Sequence, residues 1–287
     1  MSWTPTSAVT SLEPTSSPVP EPTDAALARP RPVDDRAPAV SAGAPSDLLV
    51  LDRVVAGYGG GDVLRGVSFA VPEGGITCLI GPNGAGKSTV LTTINGLLKP
   101  RRGEIRLRSE SIGGMSPRAV LARSVVTVPQ AHSLFNDMTV RENVELGACT
   151  LNDREVVARR LDEVHELFPL VAQRAKVRAG RLSGGQQRLI EFARALMLDP
   201  ELVLLDEPSM GLDPKAMAAV FETIIEMNRR GKTILLVEQN AKAALRISSQ
   251  GVVLESGTVR LTGSGPEVLE DPEIGRLYLG GAVRRSV

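Results

Sequence analysis

An α/β fold organised on a mainly parallel sheet is what this sequence of 287 residues predicts. Two observations carry the prediction. Apolar runs of strand length at 76–80, 124–128, 202–205 and 234–237 alternate with longer stretches of helical character, the order that builds parallel sheets. The runs also lead directly into Gly81, Gln130, Asp206 and Gln239, and in open α/β sheets ligands bind beyond the carboxyl ends of the strands. One ligand could touch all four.

The first segment, 1–46, holds nine of the twenty prolines with many Ser, Thr and Ala. It has too few large apolar side chains to offset the entropy of ordering, so it reads as a disordered tail ahead of a folded region at 47–287. Lys plus Arg and Asp plus Glu number 33 each, and this balance proposes no nucleic-acid partner. No run reaches the 18 or so apolar residues of a spanning helix, and the N-terminus lacks the pattern of a secretory signal, so a cytoplasmic chain is expected. Of the two cysteines, Cys78 lies inside an apolar strand, where buried packing is the expectation. With only His132 and His165, a multi-histidine metal site is excluded, and His165 sits among charges as a solvated side chain would.

From Asp47 the texture becomes that of strands with turn punctuation: 48–51 and 54–55, a glycine turn at 59–61, then 67–71. Tyr58 stands on the glycine-flanked exit of the first of these, as a surface packing residue or as a ring that stacks on a base. The run 76–80 then enters Gly81-Pro82-Asn83-Gly84-Ala85-Gly86-Lys87-Ser88-Thr89, the template G-x-x-x-x-G-K-[ST] between a strand and a helix. Its glycines let successive backbone N–H groups face phosphate oxygens, and the helix adds the positive end of its dipole. Lys87 supplies a charge for the β- and γ-phosphates, and the Ser88 hydroxyl is placed to coordinate Mg²⁺.

Residues 103–107 read as a strand, 117–123 as a short helix, and 124–128 as a buried strand stopping at Pro129-Gln130. Between 136 and 181 the pattern is helical, with Val157, Leu161, Val164 and Phe168 on one face. Leu182-Ser183-Gly184-Gly185-Gln186 opens the next helix, Ser183 as N-cap and Gln186 completing a capping box, a second helix N-terminus open to an anion. The strand 202–206 ends in Asp206-Glu207, two carboxylates too costly to bury for stability alone. Strand alternation lets Asp206 hold Mg²⁺ while Glu207 turns to an attacking water. A further strand runs into Glu238-Gln239-Asn240, and 252–261 closes as a hairpin before a helical end.

In combination these strings resemble the ATP-binding subunits of ABC transporters over nearly all of 47–281, since the cradle, Gln130, 182–188, 202–208 and Gly211-Leu212-Asp213 stand in that family's order. The resemblance implies a P-loop NTPase core with an N-terminal antiparallel β subdomain and a helical signature subdomain at about 131–198. It implies ATP and Mg²⁺ as cofactors, with Ser88, Gln130 and Asp206 at the metal, Tyr58 and 81–89 on the nucleotide, and Glu207 as general base beside Lys87, Gln130 and Gln239. Two subunits would close head to tail around two ATP molecules, so that Ser183, Gly184, Gly185, Gln186 and Asp213 serve the partner's nucleotide. The implied partners are a second ATP-binding subunit, a different chain in preference to a second copy, two membrane permeases and, indirectly, a periplasmic or extracellular solute-binding protein. The implied place is the cytoplasmic face of the plasma membrane. Gln239 stands where the wider family has a switch histidine, and the string 236–240 with the ending 278–281 resembles the importer branch for branched-chain amino acids and, in close relatives, amides or urea. A soluble ABC ATPase acting on ribosomes or DNA is the rival reading; it is disfavoured because neither a second ATPase domain nor a coiled-coil insertion is visible. Removal of 1–46 is expected to leave the melting temperature and the ATPase rate unchanged; a clear drop in thermal melting would mean that the tail docks on the folded region.

Overall fold

The computed structural model describes residues 46–278, with side chains described to 275; the tail reading and the 279–281 ending lie outside the described residues, apart from Ser46. Two sheets divide the fold. Strands β1 (Asp47–Ala56), β2 (Leu64–Pro72), β4 (Arg102–Leu107) and β5 (Glu110–Ser111) form an antiparallel sheet in the order β2-β1-β4-β5. The second sheet runs β10-β9-β3-β8-β7-β6, with β3 (Ile76–Ile80), β6 (Val125–Val128), β7 (Leu202–Asp206), β8 (Thr233–Val237) and β9 (Gln250–Glu255) parallel. Only β10 (Thr258–Ser264), the closing hairpin partner of β9, is antiparallel there.

The apolar runs are continuous because both faces of the parallel sheet are covered. Their side chains alternate between two cores. Ile76, Cys78, Ile80, Val203, Leu205, Ile234 and Leu236 join one, with apolar residues of α6 (Gly184–Leu196), α7 (Pro214–Arg229) and α8 (Ala241–Ile247). Leu79, Leu202, Leu204, Leu235 and Val237 join the other, against the antiparallel sheet, α1 (Lys87–Ile94) and α2 (Pro117–Leu121). The Cys78 thiol is fully buried, and burial, with the nearby Glu238 charge, pushes its pKa far up.

The helical stretch at 136–181 is more broken than its periodicity suggests. It divides into α3 (Val140–Glu145), a 3-10 turn, α4 (Arg154–Leu167), α5 (Pro169–Gln173) and a second 3-10 turn. The breaks have local causes. A side chain at Gly147 would meet the Arg194 carbonyl at 2.1 Å, so the chain passes hard against α6 there. Asp153 starts α4 afresh by accepting from the N–H groups of Glu155 and Val156, and Pro169 stands in the first turn of α5. Asp199, in left-handed backbone (φ 51), joins Arg160 of α4 (2.6 Å) and Lys232 at the start of β8, and these cations outweigh burial to hold its carboxyl below the usual range. Helices α9 (Gly265–Glu270) and α10 (Pro272–Tyr278) end the described chain.

Candidate functional site

Of the four strand-end residues expected to meet one ligand, Gln130 and Gln239 line a common cavity, whereas Gly81 and Asp206 are not in its lining and Asp206 reaches it through its hydrogen bond with Ser88. This cavity, of about 520 Å³ beyond the parallel strands, is lined by Asn83, Gly84, Gly86, Lys87, Ser88 and Thr89 with Gln130, Glu207, Met210 and Gln239, and Val63 closes one side. Gly86 takes φ 106 at the N-cap of α1 and offers no side-chain cap, leaving the first N–H groups of that helix without one. At Gly81 a Cβ would fall 2.1 Å from the Leu254 carbonyl, so only glycine lets the loop pass β9. The Lys87 side chain is buried and its ammonium donates to the carbonyls of Gly81 (3.0 Å) and Pro82 (3.2 Å). Its Nζ lies 3.9 Å from Glu207 Oε1. The cation is held at the loop by the two carbonyls, with the Glu207 carboxylate as its ion-pair partner at longer range.

Ser88 Oγ donates to Asp206 Oδ1 at 3.2 Å, which puts two hard oxygens side by side at the mouth of the loop. Mg²⁺ takes oxygen ligands from one or two side chains and completes its shell with substrate phosphates and water. The donor set fits. Among the described residues there is no group of three or more His, Cys, Asp and Glu that could hold a metal alone. Burial, reinforced by the Glu207 charge, raises the Asp206 pKa, against the opposing effects of Ser88 and Lys87. A cation beside it relieves that penalty.

Glu207 departs from the expectation of simple strand alternation. Strand β7 ends at Asp206, and Glu207 itself has left-handed backbone (φ 43), so a turn aims its side chain into the cavity. Gln130 Nε2 donates to Glu207 Oε2 at 3.1 Å and approaches Met210 Sδ at 2.9 Å. Two further devices hold this group, and neither has a local signal in the sequence. Glu238, 1% exposed, accepts from the backbone N–H groups of Ser209 (2.9 Å), Gln239 (3.1 Å) and Asn240 (3.2 Å), tying the loop after Glu207 to the Gln239 loop. Burial raises its pKa, while those same N–H groups pull it down. Arg188 of α6, 2% exposed, donates to the carbonyls of Pro129 and Gln130 at 2.8 Å each and lies 2.8 Å from Glu191, whose other oxygen accepts from Ser133 N–H.

The remaining predicted residues lie elsewhere. Ser183 and Gln186 form the expected capping box on α6, Ser183 accepting from Gln186 N–H and donating its own N–H to the Gln186 side chain at 3.1 Å. Gly184 and Gly185 follow in the first turn, and a Cβ at Gly185 would meet Ala216 at 2.6 Å. Asp213 caps α7 through the N–H groups of Lys215 and Ala216. The two helix starts are neighbours, outside the cavity lining. Ala85 and Pro82 shape the loop, while Tyr58 is 57% exposed and does not line the cavity.

A phosphate loop at a parallel-sheet switch, an oxygen pair for a cation and a carboxylate turned into the cavity define a nucleotide-hydrolysing cassette. Comparison with known proteins agrees. The family described as ABC transporter matches residues 64–210. The high-affinity branched-chain amino acid transport ATP-binding protein BraG of Pseudomonas aeruginosa is 40% identical over 234 residues, 82% of this chain and 100% of that protein. A probable branched-chain amino acid transport ATP-binding protein, LivF of Archaeoglobus fulgidus, is 36% identical over 81% of this chain and 99% of that one. The ADP conformation of MJ1267, an ATP-binding cassette of an ABC transporter, superposes with a TM-score of 0.75 at 28% identity over 82% of this chain and 99% of that structure. The chain belongs to the ABC transporter family as an ATP-binding, ATP-hydrolysing subunit.

The Asp206 environment gives a pH test. Its folded pKa is raised above the ordinary 3.8, so the folded state binds the proton more tightly and stability falls as pH rises from that value through the folded pKa. Asp206→Asn removes this loss. Without nucleotide, the melting temperature of the variant minus that of the wild type should become more positive between about pH 4 and 7; a difference independent of pH would contradict the buried-charge assignment.

Proposed function

We propose that this chain powers an importer of branched-chain amino acids, binding ATP at the 81–89 loop and hydrolysing it with Glu207. The observation that carries the reading is the assembly of Lys87, Ser88, Gln130, Asp206, Glu207 and Gln239 around one site, in a chain that matches the whole length of BraG. The N–H groups at the start of α1 and the Lys87 ammonium bind the phosphates, and Tyr58 stacks on the adenine. Ser88 and Asp206, with Gln130 beside them, would hold Mg²⁺, which would supply charge stabilisation to the phosphoryl oxygens. Glu207 accepts the proton of the attacking water, and Gln130, bonded to it, orients it. Gln239 donates a hydrogen bond toward the γ-phosphate but carries no proton away, since an amide does not titrate.

A second ATP-binding subunit completes the site. Ser183, Gly184, Gly185 and Gln186, at a helix start with a neutral cap, and Asp213 beside them serve the nucleotide of that partner. We assign 131–198 as the helical lobe and 1–46 as a tail outside the catalytic unit. The subunit sits on the cytoplasmic face of the membrane against two permeases, with a solute-binding protein delivering the amino acid. Among the described residues no helix is long and apolar enough to cross the membrane itself. The permease contact is a groove of about 420 Å³ behind Pro129, where Phe135 and Leu146 are exposed apolar side chains and Cys149 forms part of the wall. It is continuous with Ser133, which Glu191 and Arg194 hold, and so with the Gln130 loop.

Reconstitution with permeases and binding protein tests the whole reading: leucine should stimulate ATP hydrolysis, and Glu207→Gln should bind ATP yet lose about 3–5 kcal/mol of transition-state stabilisation. Near-wild-type turnover by that variant removes Glu207 from the chemistry. Cys149 is exposed and Cys78 buried, so a maleimide should label the free subunit at Cys149, and assembly with the permeases should protect it. Equal labelling in the complex places the permease contact elsewhere.

A further inference from the structure

The loop that carries Tyr58 contains Gly57, Gly59, Gly60 and Gly61, a composition that leaves a backbone free to wander. In the fold it is closed. Val63 N–H donates to the Ala56 carbonyl at 2.9 Å across its base, and Gly61 N–H donates to the Tyr58 carbonyl at 3.2 Å across its tip. A side chain at Gly57 would meet the Gly61 carbonyl at 2.0 Å, so the two limbs touch. One further side chain crosses the loop. Arg101, from the turn ahead of β4, donates through Nη1 to Asp62 Oδ1 at 2.6 Å and through Nη2 to the carbonyls of Gly57 (3.3 Å) and Gly59. Its own backbone N–H donates to the Val55 carbonyl at 2.7 Å, and the next residue, Arg102, pairs with Val55 in the sheet. The guanidinium is thus anchored on a sheet and spans residues on either side of Tyr58. A half-exposed pair with Asp62 adds little stability by itself. The fork of donors fixes geometry instead.

We infer that Arg101 is a positioning residue for Tyr58, holding the glycine-rich loop so that the ring is presented as a rigid platform to the adenine base. The inference rests on the reading of Tyr58 as the base-stacking residue. Preorganisation of this kind acts on affinity for the base and leaves the phosphate loop alone.

The test is calorimetric, on the full chain with Mg²⁺, comparing ATP with inorganic tripolyphosphate, which has no base. Tyr58→Ala should weaken ATP about tenfold, and Arg101→Ala about three- to tenfold, as loosening a base–aromatic stack would. Arg101→Lys, which keeps one donor group for Asp62 but lacks the fork, should fall between Arg101→Ala and wild type. Tripolyphosphate affinity should be unchanged in each, and the Arg101→Ala/Tyr58→Ala double variant should be no weaker for ATP than Tyr58→Ala alone. If Tyr58→Ala weakens ATP but neither Arg101 variant does, the Arg101 assignment falls and the stacking reading stands. If Tyr58→Ala has no effect, both fall. Equal losses for ATP and tripolyphosphate, or losses that multiply in the double variant, also overturn the assignment.

Discussion

The parallel register of β3, β8 and β7 is the constraint on which the cavity depends. Leu79 pairs with Val237 and Val237 with Asp206, so three strands end on one line. From that line Gly81, Glu238 and Glu207 leave the sheet within two residues of each other. A slip of one residue in any strand moves its end by roughly 3.3 Å and exchanges the side chains facing the two cores. The near-complete burial of both faces makes such a slip costly, and the position of Glu207 against Lys87 inherits that cost.

Much of this was legible because its causes are local. The phosphate loop declares itself through glycine spacing, and the Ser183 cap through a residue three positions on. The alternation of apolar strand residues between two cores follows from continuous apolar runs. What was not legible depends on partners far along the chain. Glu238 looks like one more polar residue after a strand until Ser209, 29 residues earlier, is seen donating to it. Arg188 reads as a charged position on an amphipathic helix, and only the fold brings the carbonyls of Pro129 and Gln130 to it. The left-handed turn at Glu207 is set by tertiary context, since propensity alone disfavours it for a residue with a Cβ.

Buried charge in this protein is concentrated where loops must be held. Arg188 and Glu191 are both almost fully enclosed, and between them they engage three backbone groups of the segment 129–133, the carbonyls of Pro129 and Gln130 and the N–H of Ser133. Such pairs are poor sources of stability, because desolvation consumes most of the attraction. Their value is directional: the two Nη donors of Arg188 take the carbonyls of Pro129 and Gln130 while Glu191 takes the N–H of Ser133, which fixes the course of the loop bearing Gln130.

The Asp199 junction described above has a mechanical consequence. The helices between 140 and 196 meet the rest of the fold through charge as well as through the apolar core, at the Arg160–Asp199–Lys232 node, at the Glu166–Arg230 pair and at the grip of Arg188 on the 129–130 carbonyls. Any change in the angle of α6 is therefore carried by Arg188 to the loop that bears Gln130, and is felt there as a change in the hydrogen bond to Glu207.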